Sequence, residues 1–175
     1  MEASPQNTVK CEEELLRQAV KSLHDRYGDF IASLLTFIAE KLGEEAVREA
    51  LERVFNEVYR DSPLWKTLKE LPHEEVVKTF VCIHEAHYSR FHIEEDEDKT
   101  VIVLDYCGSG GRIDEGGKCG RTRKPYSWSF NQANVNYYCC HCDLFFNKLI
   151  REIGVDFIEI KYGKPCLNVI FKRKP

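Results

Sequence analysis

The spacing of apolar residues changes once along this chain, after Ser89, and that change dictates the class of fold. Before it, apolar residues recur at helical intervals. Leu15, Leu16, Ala19, Val20, Leu23 and Tyr27 form one stripe, and Ala46, Val47, Ala50, Leu51, Val54, Phe55 and Val58 form another. A third carries Val76, Val77, Phe80 and Val81, with His84 and His87 on the same face. After Ser89 the period drops to two. Residues 90–94 and 100–107 read as strands, and 157–162 and 167–171 read as two more around Gly163-Lys164-Pro165. Helices and strands gathered in separate blocks indicate an α+β fold: an N-terminal helical bundle, then an antiparallel sheet in the order β-β-loop-α-β-β.

Local signals divide the helical block into about five helices. Gly28 is expected to end the first, with Asp29 capping a second over residues 30–42. That second helix is apolar almost all round, through Phe30, Ile31, Ala32, Leu34, Leu35, Phe37 and Ile38, which suits a core or an oligomer interface. Gly43 stops it, Pro63 opens a short fourth helix, and Leu71-Pro72 separates the fifth. The run Val101-Ile102-Val103-Leu104 is apolar on both faces, as a central strand requires. Residues 108–135 read as a long loop, functional or mobile, and 144–153 as a helix closed by Gly154.

A length of 175 residues suits one domain, with a helical part over about 10–88 and an α+β part over about 89–175. The net charge of −4 argues against general nucleic-acid binding. The acidic run 94–98 and the basic segment 118–124 read as solvated loops. No membrane association is expected, because no stretch reaches the ~18 apolar residues of a span. Met1-Glu2-Ala3-Ser4-Pro5 lacks the basic region and apolar core of a secretory signal, so a cytoplasmic chain is expected. In that compartment eight cysteines point to ligands, reactive thiols or packing rather than disulfides.

Three of those cysteines and a histidine stand together as Cys139-Cys140-His141-Cys142, just before an apolar segment. Cys139-x-x-Cys142 has the spacing at which two thiolates hold one tetrahedral metal. No second such pair exists, so the other ligands must come from Cys107, Cys119, Cys140, Cys166, His141 or the pair His84 and His87. Cys107, at the end of the central strand, is the first choice, giving a metal set of Cys107, Cys139, Cys142 and His141. Thiolate-rich ligation with some imidazole favours zinc, with iron or an iron–sulfur cluster as the alternative. Reactive thiols without metal, or packing alone, remain open. Cys11 and Cys82 read as packing residues and Cys166 as structural.

His84 and His87, three residues apart, are candidate proton-handling groups or else hydrogen-bonded core histidines. The turn Gly108-Ser109-Gly110-Gly111-Arg112 offers unhindered amides beside a cation, a nest for a carboxylate or phosphate, or simply a tight turn. Trp128 and Phe130 could close over the site or fold back on the core.

The C-terminal segment, Ile158 to Phe171 with its Gly163 turn and Cys166, resembles the closing hairpin of the 4-vinyl reductase domain family. The order of elements resembles that family, its relatives in vesicle-tethering complexes, and L-2-amino-thiazoline-4-carboxylate hydrolase-like proteins. The pairing of the Cys107–Arg112 turn with Tyr138-Cys139-x-His141-Cys142 is similar to a group of uncharacterised bacterial proteins. These resemblances imply a 4-vinyl reductase-like fold that forms a homodimer through its N-terminal helices. They also imply a small-molecule site. Together with the cysteines, they lead to the expectation of a zinc-binding enzyme that hydrolyses or ring-opens a small anionic substrate. The alternative is a zinc-stabilised small-molecule-binding or sensor domain without catalysis.

Overall fold

A computed structural model describes residues 12–173; Cys11 lies outside them. The chain opens with α1 (Glu13–Leu42), followed by α2 (Glu44–Val54), which runs into a π-helical turn at Phe55–Tyr59. Two further helices, α3 (Pro63–Glu70) and α4 (His73–Ala86), complete the helical block. The strands β1 (Arg90–Glu95) and β2 (Lys99–Tyr106) come next, then a short α5 (Gly110–Glu115). A π-helical segment, Cys142–Leu149, continues into α6 (Ile150–Glu152), and β3 (Ile158–Lys161) and β4 (Cys166–Phe171) finish the sheet. The fold is therefore α+β, with helices first and a four-stranded antiparallel sheet in the order β1-β2-β4-β3. The apolar run 101–104 does lie in a central strand.

One expected boundary is absent. α1 passes through Gly28 without a break and is 30 residues long. Gly28 is buried, and a Cβ there would stand 3.2 Å from Arg112 Nη2 and 3.3 Å from Ile113 Cδ1. The glycine permits close approach of α5, and about four helical turns on either side carry the helix through it. The second expected helix is likewise not buried all round. Ala32, Leu35 and Ala39 enter the core, whereas Phe30, Leu34 and Phe37 face outward.

The core forms between the helices and one face of the sheet. Ile102 and Leu104 of β2, Ile158 and Ile160 of β3 and Ile170 of β4 meet Phe55, Trp65, Leu68, Val76 and Phe80. Alternation along each strand explains why every second residue is chosen. The register pairs Leu104 with Cys166 and Ile102 with Asn168, so Cys166 and Asn168 stand on this same inner face.

The segment between β2 and the π-helical stretch is ordered by specific contacts. Beyond α5, Arg121 and Asn136 form a β-bridge, and Thr122 and Val135 are joined by a 2.9 Å backbone bond. Trp128 and Val135 are buried in the main core. Glu44, at the first turn of α2, accepts the hydroxyls of Tyr126 at 2.5 Å and Tyr137 at 2.7 Å and the amide of Arg123 at 2.8 Å. Cys82 is exposed rather than packed. Among the described residues, no helix is long and apolar enough to cross a membrane.

Candidate functional site

Three parts of the chain meet at one end of the sheet. β2 ends at Tyr106, and the turn that follows delivers Cys107. β4 begins there with Cys166. The stretch before the π-helical segment brings Cys139 and Cys142. These four thiols line one cavity of about 390 Å³, together with His84, His87 and His141. Phe80, Phe130, Tyr138, Phe146 and Tyr162 contribute aromatic rings to its wall. A concave, largely apolar space with a few convergent polar groups is the usual form of a small-molecule site.

Glycine makes the approach of the first two thiols possible. A Cβ on Gly110 would lie 2.5 Å from Cys139 Sγ and 4.0 Å from Cys107 Sγ. The Cys139 sulfur therefore crowds this bare position, with Cys107 Sγ at ordinary van der Waals distance, and a side chain there would displace Cys139. Gly108 has a different reason: a Cβ would fall 1.8 Å from the carbonyl oxygen of His87. That close crossing locks the turn onto the end of α4, and the Gly108 amide donates to Ser89 Oγ at 3.1 Å.

Burial pushes the thiols of Cys139 and Cys142 well above their ordinary pKa, and the neighbouring thiols Cys107 and Cys166 push in the same direction. Cys166 is pushed up to about 12, again first by burial and then by Cys107. Cys139, Cys142 and Cys166 thus resist ionisation because water is far and other thiols are near. Cys140 is different. It is fully buried in the main core, and its Sγ donates to the Asn136 carbonyl at 3.5 Å. Cys119 packs on α1 against the Ala32 carbonyl. Neither lines the cavity.

His141 lines the cavity with Nδ1 donating to the Tyr138 carbonyl. That bond leaves the Nε2 lone pair directed towards Cys142 Sγ, 3.5 Å away. Burial lowers its pKa and so keeps the ring neutral. His87, at the end of α4, is lowered to about 4, mainly by burial and then by His24, whose ring lies 5.1 Å away. His84 is 8% exposed, and neither of its ring nitrogens has a hydrogen-bond partner. Burial depresses its pKa too, opposed in part by the Asn168 side chain, which lies near the ring without forming a well-aligned hydrogen bond. A buried imidazole without a partner is unusual, because it forfeits the bonds it would make with water.

The proposed anion nest divides. Ser109, Gly110 and Gly111 line the cavity, but Gly108 does not. Arg112 turns away: its guanidinium stands 3.1 Å from Asp25 Oδ1 and 3.0 Å from Asp29 Oδ1, and donates to the Asp25 carbonyl at 2.9 Å. It ties α5 to α1. The charged groups on the cavity lining are instead Asp105, Asp114, Glu115 and Lys164. Trp128 is a core residue, stacked on Tyr126 at 4.8 Å.

Phe130 takes the position at the cavity that the sequence offered equally to Trp128. Its backbone is left-handed, at φ 58°, a conformation rare for a bulky side chain. Its amide donates to Asp143 Oδ2 at 2.7 Å, and its ring stacks on Tyr162 at 5.3 Å. Asp143 also receives Asn147 Nδ2 at 2.9 Å and Lys148 Nζ at 2.6 Å. Asn147 in turn binds the backbone of Ile160 on β3, accepting from its amide at 2.7 Å and donating to its carbonyl at 2.8 Å. The wide turns of the π-helical segment place both side chains, and such turns recur at functional sites. Asp143, Asn147 and Tyr162 carry no recognisable local motif; only the spatial neighbourhood identifies them.

Among the described residues, no three His, Cys, Asp or Glu side chains stand close enough together to hold a metal ion as placed. Comparison with protein-family models, with curated proteins and with solved structures finds no match for this chain.

Proposed function

We propose that this chain binds a small molecule in the cavity at the end of its sheet, beside a soft metal ion, zinc before iron, held by the cavity thiols. The observation that carries the reading is the convergence of Cys107, Cys139, Cys142 and Cys166 on one cavity wall from three separate segments. The donor types suit a soft cation. Binding would have to draw the sulfurs together, and a cation would oppose the raised pKa of Cys139, Cys142 and Cys166. Cys139 and Cys142 would be the local pair, with Cys107 third. Cys166 and the Nε2 of His141 compete for the fourth position. A bound zinc ion would supply a Lewis acid, or, with four protein ligands, only a structural tie.

The ligand class follows from the rest of the wall. With Arg112 engaged by Asp25 and Asp29, the cavity offers no arginine to a carboxylate or phosphate. Three carboxylates, Asp105, Asp114 and Glu115, against one cation, Lys164, disfavour an anion, and the aromatic rings and neutral imidazoles favour an uncharged, partly apolar molecule with one group that can hydrogen-bond to His84. The small anionic substrate suggested by the hydrolase resemblance fits this wall less well.

Catalysis is the second reading, supported by the three imidazoles on the wall. In a hydrolysis or ring opening, His84 or His87 would take a proton from the attacking water and return it to the leaving group.

Metal analysis after zinc loading separates these readings. We expect about one zinc per chain in the wild type, and clear loss in Cys139→Ser, in Cys142→Ser and in Gly110→Ala, whose Cβ would displace the Cys139 sulfur. Full metal content in both cysteine variants removes the metal from the reading. Loaded protein that binds a small uncharged ring compound without converting it is a binding module; turnover that is abolished in His84→Ala makes it an enzyme.

A further inference from the structure

A second, polar cavity of about 390 Å³ adjoins the thiol cavity, and the two share a wall. Asp114, Tyr162, Gly163 and Lys164 line both. The segment 130–134 runs along both as well. Phe130 lines the thiol cavity, and Gln132, Ala133 and Asn134 line the second one. The function proposed above leaves this second space unused.

Charge divides unequally between the two spaces. The thiol cavity sets Asp105, Asp114 and Glu115 against one cation, Lys164. The second cavity sets two cations, Arg121 and Lys164, against one carboxylate, Asp114. That carboxylate is already committed. Its Oδ1 accepts the Arg121 guanidinium and, at 3.3 Å, Asn136 Nδ2. Arg121 Nη1 also donates to the Asn134 carbonyl at 2.6 Å. These bonds fix the guanidinium on the cavity wall and leave it N–H groups to spare. Lys164 is held far less firmly. Its side chain is 89% exposed, and Asp114 Oδ2 stands 3.9 Å from its Nζ. With Arg121 and Asp114 matched, one positive charge is left over, which suits a single carboxylate. Gln132 and Asn134 add amide donors to the same wall.

The two spaces meet along Tyr162–Lys164, where the Tyr162 ring stacks on Phe130 at 5.3 Å. One is lined by aromatic rings and neutral imidazoles, the other by cations and amides. A molecule with an apolar body and a charged end matches this pair better than it matches either space by itself.

We infer that the two cavities form one bipartite site for an aryl-alkyl carboxylate. The ring lies in the thiol cavity, and a short arm crosses the Tyr162–Lys164 rim and ends in a carboxylate held by Lys164 and Arg121. This rests on the proposed binding of a small molecule in the thiol cavity. The uncharged character argued for that molecule then belongs to the part beside the thiols. Its charge lies outside the thiol cavity, unlike that of a compact anion bound at the cysteines.

Calorimetric titration of the zinc-loaded full chain tests the inference. The probes are phenyl and naphthyl compounds whose alkyl arms, of several lengths, end in a carboxylate, a primary amide or an ammonium group. At the best arm length and low salt, the acid should bind about fivefold or more tighter than its amide, and the amine more weakly than the amide. Added salt should narrow the gap. Lys164→Glu should abolish the advantage of the acid and leave amide binding within about twofold of wild type. Its exposed side chain makes the substitution compatible with folding, which circular dichroism checks. Acids that bind no tighter than their amides at every arm length overturn the inference, while binding of the amides leaves the thiol-cavity reading standing. An acid preference that survives Lys164→Glu puts the carboxylate elsewhere and overturns it too. Failure of the whole series to bind, amides included, overturns both.

Discussion

The Phe130 amide donates to Oδ2 of Asp143 at 2.7 Å, and this bond holds an aromatic residue in the left-handed region while its ring stacks on Tyr162. Asp143 is buried, so its carboxylate depends on Phe130, Asn147 and Lys148 for the bonds it would otherwise make with water. Asp143→Ala should lower the unfolding free energy by about 2–4 kcal/mol, through a stranded amide and an unpaired lysine. It should also loosen the cavity wall. Urea denaturation measures the first effect, and increased protease cleavage between residues 123 and 134 reports the second. An unchanged urea midpoint would show that Asp143 does not hold this loop.

Glu44 gives stability a defined pH dependence. Burial by itself would raise its carboxyl, but hydrogen bonds from Tyr126, Tyr137 and the Arg123 amide outweigh it and hold the pKa below the ordinary glutamate value. The folded carboxyl is therefore the stronger acid. Its contribution is present in full above the unfolded value, ~4.3 for glutamate, and is lost as pH falls through the lower folded one. Melting temperatures of wild type and Glu44→Gln should differ at neutral pH, by an amount corresponding to about 1–2 kcal/mol. They should converge as the solution is acidified. A difference that stays constant below about pH 4 would contradict the linkage.

His84 should show opposite effects on stability and binding. Both of its ring nitrogens lack partners in a nearly closed environment. His84→Leu removes two unsatisfied polar atoms and keeps apolar bulk, so ligand-free protein should become more stable by about 1–2 kcal/mol. Affinity for an uncharged hydrogen-bonding ligand should fall at least about tenfold, the value of one lost bond to a buried partner. Thermal melts with and without the ligand read both effects. A less stable His84→Leu protein would mean that the imidazole is already satisfied.

Gly28 separates close packing from helix termination. If its role is to admit Ile113 and Arg112, Gly28→Leu should destabilise the protein by about 2 kcal/mol or more by overpacking. Gly28→Ala should remain within about 1 kcal/mol of wild type, because the gain in helix propensity opposes a contact of 3.2–3.3 Å. Equal effects of the two substitutions would exclude close packing as the reason for the glycine.

The strands were legible because their apolar residues alternate, as in β3, or run unbroken, as in residues 101–104 of β2 and 169–171 of β4, and both patterns are written in single side chains. The central place of residues 101–104 followed from their being apolar on both faces. The cysteines were legible as a group because four chemically reactive positions in sequence are hard to account for as packing. Cys107 joins them in space because β2 delivers it to the bare Cα of Gly110. Cys166 reads as structural in the sequence because it stands alone in a strand. Its exposure to the cavity depends on its pairing with Leu104, a relation between residues more than sixty positions apart.

Local chemistry could equally not say where Arg112 and Trp128 would point. An arginine after a glycine turn can meet a ligand or a neighbouring helix, and Asp25 and Asp29 of α1 claim it here. An aromatic in a long loop can cover a site or enter the core, and Trp128 enters the core while Phe130, two residues on, reaches the cavity. The amino-acid order is enough to establish helices, strands, their grouping into an α+β domain and the chemical character of the Cys139–Cys142 stretch, because those depend on neighbours within a few turns of chain. Which thiols share a cavity, which charges are already paired and which apolar face of α1 stays open depend on the packing of distant segments, where each contact excludes the others competing for the same atoms.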